Sequence, residues 1–196
     1  MFRPRFSIAL GVIPVALFVA YPITASTAAT TVRCAGQAAT MVVTDSSPHV
    51  VNGTSGKDVI AIRDGGHVIR AHRGGDLVCG SGARDVIFGG IGQDRLYGVG
   101  GNDRINGGAG DDVISGGAGS DRLIGKAGSD RIMGKRGDDT IRGGGGNDRI
   151  YGGGGNDTIR GGTGDDSMTG GDGTDTCDGG GGTDTTTDNG TTTHEG

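Results

Sequence analysis

Apolar residues recur along most of this chain at one fixed interval. Ile60, Ile69, Val78, Ile87, Leu96, Ile105, Ile114, Leu123, Ile132, Ile141, Ile150, Ile159 and Met168 stand nine residues apart, and the series decays to Cys177 and Thr186. Two residues before each lies a polar series: Asp58, His67, Asp76, Asp85, Asp94, Asp103, Asp112, Asp121, Asp130, Asp139, Asp148, Asp157, Asp166, Asp175 and Asp184. Glycines fill the positions ahead of each aspartate, and the cleanest unit is Gly107 to Ser115, GGAGDDVIS. A period held over so many copies marks a repeat architecture.

The unit predicts its own elements. A Gly–Asp cluster is turn chemistry, because glycine reaches positive φ without steric cost. The three residues after the aspartate, such as Val113-Ile114-Ser115, suffice for one short strand. Side chains alternate faces along a strand, so the apolar residue points inward and its neighbours outward. Those neighbours are often Arg95, Arg104, Arg122, Arg131, Arg149 or Thr140, which suit a solvated face. Turn, strand, turn, strand makes a coil of about eighteen residues, and coils stack as parallel strands about 4.8 Å apart. The predicted fold is all-β: a parallel β-roll, or β-helix solenoid, of nine-residue repeats.

Composition adds a demand. With 46 Gly, no Trp and only 4% aromatic residues, the chain lacks the bulk of an ordinary globular core. One apolar residue per repeat is little to set against the ordering of eight others. Stacking also brings carboxylates into register, and two unit charges about 5 Å apart repel by about 3 kcal/mol at an effective dielectric of 20. A metal-free roll is therefore expected to be marginal or unfolded, and a cation is expected between the turns. Calcium fits best, since it takes six to eight oxygens from carboxylates and carbonyls in flexible geometry. Zinc wants His or Cys in tetrahedral sets, and magnesium keeps its waters. The candidate ligands are Asp76, Asp85, Asp94, Asp103, Asp112, Asp121, Asp130, Asp139, Asp148, Asp157, Asp166 and Asp175, holding multiple Ca2+ ions.

Other chemistries are excluded by what the chain lacks. The net charge is −5 and the arginines are spread among aspartates, which speaks against nucleic acid. There is no HExxH pair, no GxSxG elbow and no cysteine beside a histidine, so no enzyme is expected.

The N-terminus reads as a secretory signal over residues 1–29. Arg3 and Arg5 precede an almost wholly apolar Ile8 to Ile23, which yields to small residues with cleavage after Ala25, Ala28 or Ala29. The apolar run is short for a span and is interrupted by Pro14 and Pro22, so no stable membrane insertion is expected after cleavage. Residues 30–48 read as a cap or linker, 49–187 as the roll, and 188–196 as a disordered polar tail. The expected location is extracellular.

The repeat resembles the RTX, or haemolysin-type, calcium-binding repeat, G-G-x-G-x-D-x-U-x with U a large apolar residue. The resemblance runs from about Gly53 to Thr187 and is carried by GGIGQDRLY from Gly89, GGAGSDRLI from Gly116, GGGGNDRIY from Gly143, GGGGNDTIR from Gly152 and GGTGDDSMT from Gly161. It implies a calcium-binding turn in the first six positions and a strand in the last three. It also implies ions between turns one coil apart, held by their aspartates and by carbonyls of the first four positions: Asp94 with Asp112, Asp112 with Asp130, Asp103 with Asp121. The N-terminal signal and the lack of a separate catalytic or pore-forming domain depart from the family's toxins and proteases. They match small repeat-only secreted proteins instead.

An eighteen-residue coil sorts the turns into two columns. One runs from Asp58 through Asp76 to Asp184, the other from His49 and His67 through Asp85 to Asp175. The two histidines share a column, either as decayed turns without calcium or as a zinc or copper site. His72 and Arg73 replace glycines ahead of Asp76, so the first coils are expected to bind calcium weakly. In a secreted chain Cys34 and Cys79 are candidates for pairing, and Cys177 takes the inward apolar position as a buried thiol. The function expected is a secreted calcium binder that folds on binding its ions. The alternative is a structural or adhesive cell-surface or matrix protein that uses the calcium-stabilised roll as a spacer.

Overall fold

The structure, a computed structural model, describes residues 33–44 and 50–187, and the backbone of Thr191–Glu195. The expected signal segment at 1–29 and His49 lie outside the described residues, as does the expected tail at 188–196 apart from that backbone, which is a strand.

Two nine-stranded parallel sheets face each other, and the chain alternates between them. The first sheet holds, in chain order, Val50–Asn52, Val68–Arg73, Val86–Ile91, Arg104–Ala109, Arg122–Ala127, Thr140–Gly145, Thr158–Thr163, Thr174–Gly181 and Thr191–Glu195. The second holds Met41–Val43, Val59–Ile62, Leu77–Cys79, Arg95–Gly100, Val113–Ala118, Arg131–Arg136, Arg149–Gly154, Ser167–Asp172 and Thr185–Thr187. Each strand pairs with the one a full coil away, Ile105 opposite Leu123 and Ile114 opposite Ile132, an offset of eighteen residues that changes only at the ends, where Met41 faces Ile60 and Thr174 faces Thr191. This is the all-β solenoid that the nine-residue period predicts.

The strands are longer than that period suggests. From Val86 to Asp172 each runs six residues, not three, and takes in the first three positions of the next repeat. The paired glycines therefore belong to the strand. At the second position the reason is close approach: Gly108 has φ +118, and a Cβ there would collide with the Gly90 carbonyl one coil earlier. Glycine lets adjacent coils lie against each other at that point. Four non-glycine residues at this position, His72, Val99, Lys126 and Lys135, keep a φ of 80 to 91.

Between the sheets runs one continuous core. Ile87, Leu96, Ile105, Ile114, Leu123, Ile132, Ile141, Ile159 and Met168 are wholly buried in it, with Cys177 at its far end. From Val86 onward the other inward position of each six-residue strand is the first glycine of a repeat, such as Gly107 or Gly116, so the space is one apolar side chain deep from each sheet; in the earlier strands it holds Ile62 and Ala71.

The N-terminal end is built differently. A hairpin, Arg33–Cys34 with Gln37–Ala38, lies on the outer face of the second sheet and is joined to it by the Cys34–Cys79 disulfide, with 5.6 Å between the α-carbons. It covers Val59, Ala61 and Leu77, a second apolar cluster outside the main core.

Candidate metal centre

Each aspartate of the period folds back into its own turn. All of those from Asp58 to Asp175 are buried. The first glycine of the repeat makes room: a Cβ on Gly116 would strike Asp121 Oδ2, and one on Gly143 would strike Asp148 Oδ2. Asp76 is the exception: the position holds Ala71, and its carboxylate is buried as well.

The two oxygens of each carboxylate meet different surroundings. Oδ1 accepts the backbone N–H of the aspartate one coil earlier, as in Asp103 N–H to Asp121 Oδ1 and Asp112 N–H to Asp130 Oδ1, both at 2.8 Å. Oδ2 of Asp76, Asp94, Asp103, Asp112, Asp121, Asp130, Asp139, Asp148, Asp157, Asp166 and Asp175 is buried without a hydrogen-bond partner. Each column is thus a file of inward, unsatisfied carboxylate oxygens.

Leaving such a group charged is costly. Burial pushes Asp103, Asp112, Asp139 and Asp148 up to about 7. It pushes Asp76, Asp121, Asp130 and Asp157 up to about 6. Asp94 and Asp166 are raised by the same cause. The accepted N–H pulls each back in part, and stacked carboxylates such as Asp85 and Asp121 on either side of Asp103 push further up.

A second polar ladder lies beside the first. The fifth residue of one turn accepts the N–H of its counterpart one coil later: Ser129 N–H to Asp111 Oδ1 at 2.8 Å, Asn156 N–H to Asp138 Oδ1 at 2.8 Å, Thr174 N–H to Asn156 Oδ1 at 2.9 Å. The aspartate ladder points toward the N-terminus and this one toward the C-terminus. The sequence signal was there, since Asp, Asn and Ser recur at that position, but it reads as ordinary turn composition.

Of the twelve candidate ligands, eleven carry the unsatisfied oxygen. Asp85 does not: Ser81 donates its N–H to Asp85 Oδ2 at 2.7 Å, and His67 donates its N–H to Oδ1 at 2.7 Å. Asp58, outside that set, is engaged in the same way by the Thr54 N–H at 2.6 Å.

The donor set tests which cation these turns suit. Among the described residues no three His, Cys, Asp or Glu side chains converge on one point. That includes the surroundings of buried His67, so a zinc or copper site gains no support there. A cation between two turns would meet carboxylate oxygens and the carbonyls of glycine-rich backbone, an all-oxygen set that calcium accepts.

Comparison with known families bears this out. The model of the RTX calcium-binding nonapeptide repeat matches four overlapping segments, residues 71–105, 97–132, 124–159 and 151–186. No curated protein and no solved structure matches the chain. The matched segments cover more than half of the 196 residues. With its stacked Gly–Asp turns and files of buried carboxylates, the chain belongs to the RTX calcium-binding nonapeptide repeat family.

Proposed function

We propose that this chain is a secreted protein whose roll is folded by the calcium ions it binds between turns one coil apart. The observation that carries this is the buried Oδ2 oxygens without hydrogen-bond partners, of Asp76 and of every periodic aspartate from Asp94 to Asp175. Calcium supplies the positive charge and the open coordination sphere those oxygens lack. The aspartates place one carboxylate per turn, the leading glycines admit it, and the strands hold successive turns in register. The unfolded chain has no such arrangement, so binding free energy is folding free energy. Each coil touches only its neighbours, so folding is cooperative along the stack.

Secretion is supported by the basic, apolar and small-residue order of the first 29 residues. The Cys34–Cys79 disulfide agrees with it, since such bonds persist in oxidising compartments. Sites with few carboxylates suit extracellular calcium, with affinities of about 10⁻⁴–10⁻³ M by analogy with extracellular modules. On this reading the chain crosses the membrane unfolded and folds on arrival.

Circular dichroism of the mature chain tests it. The central coils should be unstructured in chelator and become β-structure along a sigmoid with its midpoint at high micromolar to millimolar calcium. Identical spectra in both conditions would overturn the proposal.

A further inference from the structure

The aspartate turns fall into two kinds. In each column one aspartate comes first, with no carboxylate a coil before it: eighteen residues before Asp58 stands Thr40, and before Asp85 stands His67. In those two turns alone the second position holds a hydroxyl residue, Thr54 or Ser81. Neither residue is in the left-handed region that the glycines and His72, Val99, Lys126 and Lys135 occupy at that position. Their amides are turned inward to the carboxylate instead.

Ser81 fills its turn. Its Oγ lies 3.1 Å from Asp85 Oδ2 and 2.7 Å from the carbonyl of Gly65, which is in the turn one coil earlier. The same oxygen accepts the Ala83 N–H at 3.1 Å. One buried hydroxyl thus touches a carboxylate of one turn and a carbonyl of its neighbour. Those are the two ligand types that a cation between turns would bridge. Thr54 is exposed and engages the carboxylate of its own turn: its Oγ1 is 3.1 Å from Asp58 Oδ2 and accepts the Gly56 N–H at 3.1 Å.

We propose that Thr54 and Ser81 stand in for the cation in the first turn of each column, so that these two turns take no calcium and the coils up to about Ser81 fold without it. This rests on the calcium-folding reading of the remaining turns. The same coils carry the Cys34–Cys79 bond and the second apolar cluster of Cys34, Val59, Ala61 and Leu77. They have sources of stability that the later coils lack. They then present a finished sheet edge to the strands Val86–Ile91 and Arg95–Gly100, and calcium-dependent folding spreads from them toward the C-terminus.

Hydrogen exchange read by mass spectrometry on the full mature chain tests this. In chelator, amides of Val59–Ile62, Val68–Arg73 and Leu77–Cys79 should exchange at least ten-fold more slowly than those of Arg104–Ala109 and Arg131–Arg136; in millimolar calcium all should be protected. Ser81→Ala should abolish the chelator protection of the early strands, and Ser81→Thr should keep it. Both variants should retain calcium-induced protection of the central strands, which shows that they fold. If the early strands exchange in chelator as fast as the central ones, the inference is overturned while the calcium reading stands. If every strand is protected in chelator, the calcium reading itself falls. If Ser81→Ala matches the unaltered chain, the hydroxyl does not have the role assigned to it.

Discussion

Strand Val59–Ile62 is buried at all four of its positions, whereas Arg122–Ala127 buries only Leu123 and Gly125. The first lies among coils that are pinned by a disulfide and covered by a hairpin, with Asp58 and Asp85 engaged by Thr54 and Ser81. The second lies among coils with one thin core, bare outer faces and carboxylates that have an oxygen to spare. One backbone plan therefore supports two balances of forces. Apolar burial and covalent closure serve the early coils, and buried carboxylate oxygens without hydrogen-bond partners mark the later ones. The amount of apolar surface available to a coil decides which is needed.

The largest expected effect sharpens this contrast through glycine. Gly116→Ala would drive a Cβ into Asp121 Oδ2, whereas a Cβ on Gly82 would meet open space. Calcium titrations followed by circular dichroism should show the folding of the central coils lost in Gly116→Ala. Gly82→Ala should leave the midpoint in place, with stability changed by no more than about 1 kcal/mol. Similar losses in both variants would mean that the turn does not hold its carboxylate as described.

Reducing Cys34–Cys79 should act on the other region. Its ends are 45 residues apart in sequence, and chain entropy puts the loss at about 4 kcal/mol. Urea melts in chelator, with and without reductant, should show that loss, while the calcium midpoint of the later coils moves far less.

Asp121→Ala removes an oxygen facing one turn and the acceptor for the Asp103 N–H. It should raise the calcium midpoint about ten-fold, equivalent to about 1.4 kcal/mol. Asp58→Ala should weaken the chelator-resistant coils and leave the calorimetric calcium stoichiometry unchanged. A fall in stoichiometry for Asp58→Ala would break the division between the regions.

Acid gives a smaller and signed effect. Asp103, Asp112, Asp139 and Asp148 are raised to about 7 in the folded chain, from an ordinary 3.8. Between those values the metal-free folded state binds more protons than the unfolded state, so its stability falls as pH rises. The penalty is complete above about pH 7 and vanishes below about pH 4. In chelator, lowering pH from 8 to 5 should increase β-structure in the central coils. In calcium, the same step should weaken binding, because protons compete for the same oxygens. A metal-free chain that loses structure on mild acidification would contradict the burial of these groups.

The smallest effect concerns strain. Val99 has φ 83 and is 54% exposed, so Val99→Gly sheds a left-handed β-branched residue at little cost in packing. A gain of about 1 kcal/mol is expected from thermal melts in calcium.

Much of this architecture can be read in the residues. The row from Ile60 to Met168 marks the core, and the aspartate row marks the files of buried carboxylates, because a strict period leaves few ways to stack. The pairing of Cys34 with Cys79 is left open by the sequence, because Cys34 lies outside the period, and it is the structure that joins them. What the period conceals is how equivalent positions differ. Asp85 and Asp103 occupy the same place in the repeat, yet Ser81 completes one carboxylate and Val99 leaves the other open. The glycine pairs read as turns, since the sequence does not show that their need is for contact between coils. The ladder through Asp111, Ser129 and Asn147 was hidden for a related reason: its partners are eighteen residues apart and chemically mixed.

The direction of the hydrogen bonds has a mechanical meaning. The sheet bonds and both polar ladders link one coil to the next, along the axis of the stack. A pull on the two ends of the roll would therefore load the coils in series and open them one after another. Each opened coil of about eighteen residues would release about 60 Å of chain in place of about 4.8 Å of stack. Bound calcium would set the force at which each step yields, so the protein would act as an extensible tether whose stiffness follows the ion concentration around it.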